Sequence, residues 1–144
     1  MALVFSVHDQ VAPEDAAAVD AGLDAANIAA GPIRDVRRLA AMAHTADGQP
    51  VGGAVGRTWG ECCELQQLWV SAVHRHQGVG SRLLQDFEQR ARARGCGLVY
   101  LDTFSFQAPE FYKAHGYEVA FEVRGYTQGV VKHTMTKRLG SERS

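Results

Sequence analysis

The segment Leu68-Trp-Val-Ser-Ala-Val-His-Arg-His-Gln-Gly78-Val-Gly80-Ser-Arg-Leu-Leu84 constrains the fold more than any other part of this chain. It opens on three consecutive apolar residues, Leu68, Trp69 and Val70, which suit a central strand buried on both faces or a bulge near a strand end. A turn with two glycines follows. Leu83, Leu84, Phe87 and Ala91 then recur at helical spacing, with Arg and Glu on the opposite face. Arg92 and Arg94 occupy the last turn, and Gly95 terminates a helix predicted over 81–95. Such a strand–turn–helix unit presents free backbone N–H groups at the positive end of a helix dipole, an arrangement that binds anions. Gly78 and Gly80 would let the backbone come close to a phosphate and take conformations closed to other residues.

The rest of the chain supplies the frame. Met1 to His8 reads as a first strand, and Pro13 with Glu14 and Asp15 opens a helix that runs through Ala30 to the stop at Gly31-Pro32. Strands are expected over Val36–Thr45, Val51–Trp59 and Glu61–Ser71, the first two joined by a hairpin at Asp47-Gly48. Beyond the helix come a strand over Gly97–Ser105, a short helix over Ala108–His115 and a closing strand pair, Tyr117–Val123 and Val130–Leu139. This order predicts an α/β fold. Its mixed sheet has about six to seven strands, antiparallel in the N-terminal part and flanked by helices. Residues 1–140 form one domain in this reading, and 141–144 a polar tail.

Composition narrows the function classes. With 144 residues the chain suits one ordinary domain, and 46% hydrophobic against 22% charged residues allows a real core. Fifteen Lys+Arg against sixteen Asp+Glu leave a net charge of -1, which argues against a nucleic-acid or membrane-surface binder. Three cysteines, two of them adjacent at Cys62 and Cys63, suit reduced thiols in a cytoplasm better than a disulfide framework, and both are expected in a buried strand. No signal peptide or apolar run of membrane-spanning length is visible.

Two common phosphate motifs do not fit the glycine turn. No Lys follows Gly80, as a P-loop requires, and the turn follows the fourth strand candidate, whereas a dinucleotide fingerprint follows the first. What Arg75-His-Gln-Gly78-Val-Gly80 does resemble is the acyl-CoA-binding motif of the GNAT superfamily of N-acetyltransferases, Arg/Gln-x-x-Gly-x-Gly/Ala. Phe111-Tyr-Lys-Ala-His-Gly-Tyr117 is similar to the family's aromatic-Tyr-x-x-x-Gly-Phe/Tyr element about thirty residues later. The resemblance extends over about residues 1–139 and is most specific over 65–119. Two positions depart from it: His76 stands where relatives usually have glycine, and Ala72 replaces a usual proline.

The resemblance implies a V-shaped splay between the fourth and fifth strands, with the pantetheine arm of acetyl-CoA lying between them. Leu68, Trp69 and Val70 would line that arm. The backbone of Leu68 and Val70 would pair with it, and the Val70 N–H would stabilise a developing oxyanion. Arg75, His76, Gln77, Gly78, Val79, Gly80 and Ser81 would hold the pyrophosphate, with Gln107 a further cofactor contact or a loop cap. Tyr112 would be the general acid that protonates the departing thiolate. Glu61 and Glu64 are candidate bases, directly or through water, although the plainer reading of each is the polar face of a strand. His115 reads as a partner of the helix dipole, and His74-x-His76 lacks the further ligands a metal site needs.

The expectation is an enzyme that transfers an acetyl group from acetyl-CoA to a primary amine by direct attack, without a metal. The acceptor is a small-molecule or peptide amine; the cysteines place the chain in a cytoplasm, and relatives, which are often homodimers, suggest a homodimer. A catalytically silent CoA-binding module on the same fold, or an enzyme using a longer acyl-CoA, are the alternatives.

Overall fold

The computed structural model describes residues 2–140, so Met1 and the expected polar tail at 141–144 lie outside the described residues. The chain divides into two units, Met1–Arg34 and Asp35–Ser144. In the first, helix α1 spans Pro13–Ala30, with Pro13 in its opening turn beside Glu14 and Asp15. Gly31 ends it at φ 92°, its N–H bonding the Asn27 carbonyl, the left-handed C-cap that glycine accepts most readily. Residues 2–8 form no strand, contrary to expectation. An apolar octapeptide becomes a strand only when a neighbour takes its backbone N–H and C=O groups, and the sheet has no ladder for this segment.

The second unit is built on a six-stranded sheet in the order β1-β2-β3-β4-β6-β5. Strand β1 (Arg37–His44) and β2 (Pro50–Trp59) form the expected hairpin, with Gly48 at φ 92° in its turn. Strand β3 (Cys62–Val70) runs antiparallel to β2, and β4 (Leu98–Phe104) parallel to β3. Strand β6 (Lys132–Arg138) lies between β4 and the edge strand β5 (Glu118–Val123), antiparallel to both. Helix α2 (Val79–Ala93) packs on β1, β2 and β3, and the six-residue α3 (Pro109–Ala114) connects β4 to β5. Helix α2, expected over 81–95 and found at Val79–Ala93, makes the crossover between the parallel strands β3 and β4.

Phe87, Leu84, Leu101, Met135, Val99 and Cys63 are the largest fully buried side chains. Each large apolar side chain among them contributes roughly 1.5–3 kcal/mol on burial. The pair Cys62-Cys63 splits, contrary to the expectation that both are buried: Cys63 is buried and Cys62 exposed, because successive strand residues point to opposite faces. Glu88 departs from its sequence pattern too. It sits on α2 among the residues assigned to the polar face, yet it is 3% exposed. The Tyr117 hydroxyl donates to its Oε2 at 2.7 Å and Lys137 Nζ to its Oε1 at 2.9 Å. A buried carboxylate is tolerable only with such partners.

Burial also sets an alkaline limit on stability. It pushes the Cys63 thiol from 9.0 up to about 12 and the Tyr112 phenol from 10.0 up to about 12, and it raises Tyr117 further with help from the adjacent Glu88 carboxylate. Unfolded, these groups release protons near 9.0 and 10.0; folded, they retain them. Their contribution to stability is therefore fully present below about pH 9 and is lost between about pH 9 and 12, by about 1.4 kcal/mol per pH unit for each group in its window. Urea unfolding at pH 8, 10 and 11 measures this slope, and Cys63→Ala should flatten it.

Candidate active site

The site begins with the ladder between β2 and β3. Val55 pairs with Gln67 but Gly56 pairs with Leu65, so Gln66 is the extra residue of a bulge in β3. Beyond it, the Ser71 N–H bonds the Val51 carbonyl at 2.8 Å. That bond makes Val70↔Gly52 a pair whose own N–H and C=O groups point away from each other, and Leu68↔Ala54 repeats the geometry two residues earlier. The backbone groups of Leu68 and Val70 thus project from β3 on the side facing away from β2. Strand β4 has already parted there: β3 and β4 pair only at Cys62↔Leu98, Cys63↔Val99 and Glu64↔Tyr100. The splay expected between these strands is present.

After β3 the chain turns through a loop tied to itself. Ser71 Oγ and His74 Nδ1 share a hydrogen bond of 2.7 Å, Gln77 Nε2 donates to the Val73 carbonyl, and Arg75 Nε donates to the Val70 carbonyl at 3.0 Å. Arg75 therefore also braces the end of β3. His76, where relatives usually carry glycine, adopts φ 62°, and Gly78 follows at φ 80° as the N-cap of α2. The left-handed region costs a side-chain-bearing residue about 1–2 kcal/mol. The first backbone donor to re-enter the helix is Arg82, to Gly78. Among the described residues, no side chain caps α2, so Val79, Gly80 and Ser81 direct their N–H groups outward.

Gly80 itself is roomier than expected. A Cβ there would lie 3.5 Å from the Phe111 ring and 3.7 Å from Val70, ordinary contacts, and its φ is not positive. The expectation of a conformation closed to other residues does not hold at Gly80, whereas it holds at Gly78, at φ 80°. Phe111 connects this turn to α3, and so does His115, whose Nε2 lies 2.9 Å from Ser81 Oγ while its ring packs on Phe111. His115 was expected at a helix end; its tie to the start of α2 depends on how the two helices meet.

Tyr112 is buried between Phe111 and Tyr117, edge-on to both. Among the described residues its hydroxyl has no hydrogen-bond partner. It lines a cleft of about 220 Å³ with Leu65, Gln67, Leu68, Asp102 and Thr103. Gln107 and Ala108 line it as well. The Gln107 side chain accepts the Phe104 N–H at 2.9 Å, making it a loop cap. Asp102 and Thr103 are successive strand residues on opposite faces, so the parted strands open a passage from one face of the sheet to the other. The sequence reading missed Asp102, which is marked only by its place one residue from Thr103.

The two candidate bases lie apart. Glu64, at the last paired position before the splay, bonds Arg57 Nε at 3.0 Å in a separate hollow of about 370 Å³ with Trp59, Cys62 and Tyr100. Glu61 lies in the turn between β2 and β3, roughly 10 Å farther along the strand direction than Glu64. Trp69 is exposed, on the sheet face opposite α2.

The sheet thus opens between two parallel strands, with a glycine-capped helix at the opening, as the resemblance implied. Residues 14–117 match the model of the acetyltransferase (GNAT) family, and the chain belongs to that family. It is an enzyme of the acyltransferase class. It is 37% identical over 112 residues to the blasticidin-S acetyltransferase of Streptomyces morookaense, covering 75% of this chain and 82% of that relative. An acetyltransferase from Bacillus cereus superposes with a TM-score of 0.74 at 30% identity, covering 93% of this chain and 98% of that one. A crystal structure assigned to the acetyltransferases, from Agrobacterium tumefaciens, gives 0.84 at 29% identity, covering 95% and 100%.

Proposed function

We propose that this acetyltransferase moves an acetyl group from acetyl-CoA to a primary amine by direct attack within a ternary complex. The observation that carries the reading is the convergence of three features on one opening: the outward backbone of Leu68 and Val70, the unpaired N–H groups at the start of α2, and the free hydroxyl of Tyr112. These residues suit the donor. Val79, Gly80 and Ser81 would hold its pyrophosphate, with Arg75, His76, Gln77 and Gly78 shaping the loop and Gln107 fixing the far wall. The donor supplies a thioester.

In this mechanism the chain's own groups orient the reaction and move its protons. Leu68 and Val70 align the acyl arm, and the Val70 N–H donates to the carbonyl oxygen where negative charge develops. The amine nitrogen bonds the acyl carbon as the carbon–sulfur bond breaks. Tyr112 delivers its proton to sulfur; its phenol carries that proton at neutral pH, and burial pushes its pKa up to about 12. The amine loses its proton through water to a carboxylate. Glu64, nearer the opening, is preferred to Glu61 for that role. The acceptor is a small molecule or a peptide amine; the relative that acts on blasticidin-S supports the former. Assaying acetyl-CoA against an amine panel, with free thiol as readout, tests the reading. Donor binding without turnover on any amine would favour a silent CoA-binding module.

Gly80→Val should weaken acetyl-CoA binding about tenfold or more, roughly 1.4 kcal/mol, with the fold retained, whereas Gly80→Ala should bind nearly as the parent. Calorimetry giving equal affinities for Gly80→Val and the parent would refute the phosphate role. A cytoplasmic homodimer completes the proposal. Free Cys62, Cys63 and Cys96 suit a reducing compartment. Edge strand β5 offers exposed Val119, Phe121 and Val123 for pairing with a second copy. Light scattering should give twice the 15.6 kDa chain mass, and a monomer at micromolar concentration overturns the dimer.

A further inference from the structure

The rim of the opening carries an aromatic cluster that the acetyl-transfer chemistry leaves unused. Phe104 ends β4, and the chain doubles back at once: the Gln107 N–H bonds the Phe104 carbonyl at 2.8 Å while the Gln107 side chain takes the Phe104 N–H. This tight turn lays Phe106 over Phe104, with ring centroids 5.7 Å apart and planes 14° from parallel. Tyr126, from the β5–β6 loop, meets Phe104 edge-on at 5.4 Å. The two loops are joined by the Ser105 N–H to the Val131 carbonyl at 2.8 Å and the Val131 N–H to Ser105 Oγ at 3.0 Å. The cluster is therefore preorganised by hydrogen bonds, yet Phe106 remains 70% exposed and Tyr126 41% exposed.

Its position gives that exposure a use. Phe104 and Asp102 are two residues apart on β4 and share a sheet face, and Asp102 lines the cleft that Tyr112 lines. The Asp102 carboxylate accepts from Thr134 Oγ1 at 2.6 Å and lies 3.6 Å from Lys132 Nζ, which leaves it half exposed toward the opening. A carboxylate at the cleft and a flat, open aromatic surface beside it are complementary to a cation attached to a planar ring. Aromatic surfaces favour offset stacking with other rings beyond what their area alone provides.

We infer that the acceptor is an amine bearing a flat aromatic or heteroaromatic ring, with the ring stacked on Phe106 and the amine drawn to the cleft by Asp102. This rests on the acetyltransfer reading and specifies its acceptor. The test compares 2-phenylethylamine with 2-cyclohexylethylamine, of similar size and charge but differing in planarity. The saturated ring is the more apolar, so simple hydrophobic burial would favour it. Stacking predicts the opposite: kcat/KM about five- to tenfold higher for the phenyl amine, expressed mainly in KM. Phe106→Ala and Phe106→Leu should both bring that ratio close to one, and Phe106→Trp should preserve it. Equal kcat/KM for the two amines in the parent, or a ratio unmoved by either Phe106 variant, overturns the inference. If neither amine is acetylated, the acetyltransfer reading fails for this pair. The ring inference is then read from equilibrium binding by NMR titration, where tighter binding of the phenyl amine that is lost in Phe106→Ala supports it and equal binding overturns it.

Discussion

Tyr112→Phe is expected to lower kcat by about 10²–10⁴, the range a positioned general acid supplies, while acetyl-CoA affinity stays close to that of the parent. The side chain is 7% exposed and wedged edge-on between Phe111 and Tyr117, contacts that belong to the ring and survive in phenylalanine. Only the hydroxyl is lost, and among the described residues it bonds to nothing. Folding stability at neutral pH should therefore change little. In single-turnover measurements the loss should fall on the chemical step. A variant that retains near-parent turnover with chemistry rate-limiting would leave Tyr112 as packing alone and assign the proton to water. The same substitution removes one of the groups that resist ionisation on burial, so its alkaline stability decline should be shallower than the parent's.

The second large effect is structural. A Cβ at Gly56 would stand 1.9 Å from the Glu64 carbonyl oxygen and 3.0 Å from the Phe87 ring. The first neighbour is backbone and the second is fully buried, so neither can step aside without moving β3 or α2. Gly56→Ala should cost about 3 kcal/mol or more, at the upper end of overpacking penalties, read as a lower midpoint in urea. The reason for the close approach is the bulge. Gly56 stands opposite Leu65, where Gln66 is extra and β3 bends away from β4. Any variant that folds should carry a distorted opening, with acetyl-CoA affinity falling along with stability. A stable Gly56→Ala enzyme with parent kinetics would show that β2 and β3 need not approach so closely.

The family and the local elements were legible because their signals are local. Helix α2 could be read from Leu83, Leu84, Phe87 and Ala91, which share one face by their spacing alone, and Gly78 from the need for a backbone conformation that its neighbours would resist. The β1–β2 hairpin follows from Asp47-Gly48 for the same reason. Strand existence held for six segments and failed for residues 2–8, since a strand is a relation between two segments and its pattern names no partner.

What the tertiary structure alone decided is how distant residues meet. The period of α2 sets Glu88 beside the apolar stripe, four residues after Leu84 and three before Ala91, but only the fold brings up Tyr117 and Lys137, 29 and 49 residues away, whose donors let a carboxylate be buried there. Gln66 became a bulge only through the register with β2, and that extra residue changes which face each later residue of β3 presents. Asp102 and Tyr112 line one cleft with Leu65 and Leu68 of β3 because β3 and β4 part there, while Glu61, two residues from the buried Cys63, was left in a turn outside the cleft. Spacing and turn chemistry determined the elements and the glycine-capped start of α2, because those depend on neighbours within a few residues. The cleft, its charge and its aromatic rim depend on pairing register and chain crossings, and no short stretch of sequence encodes those.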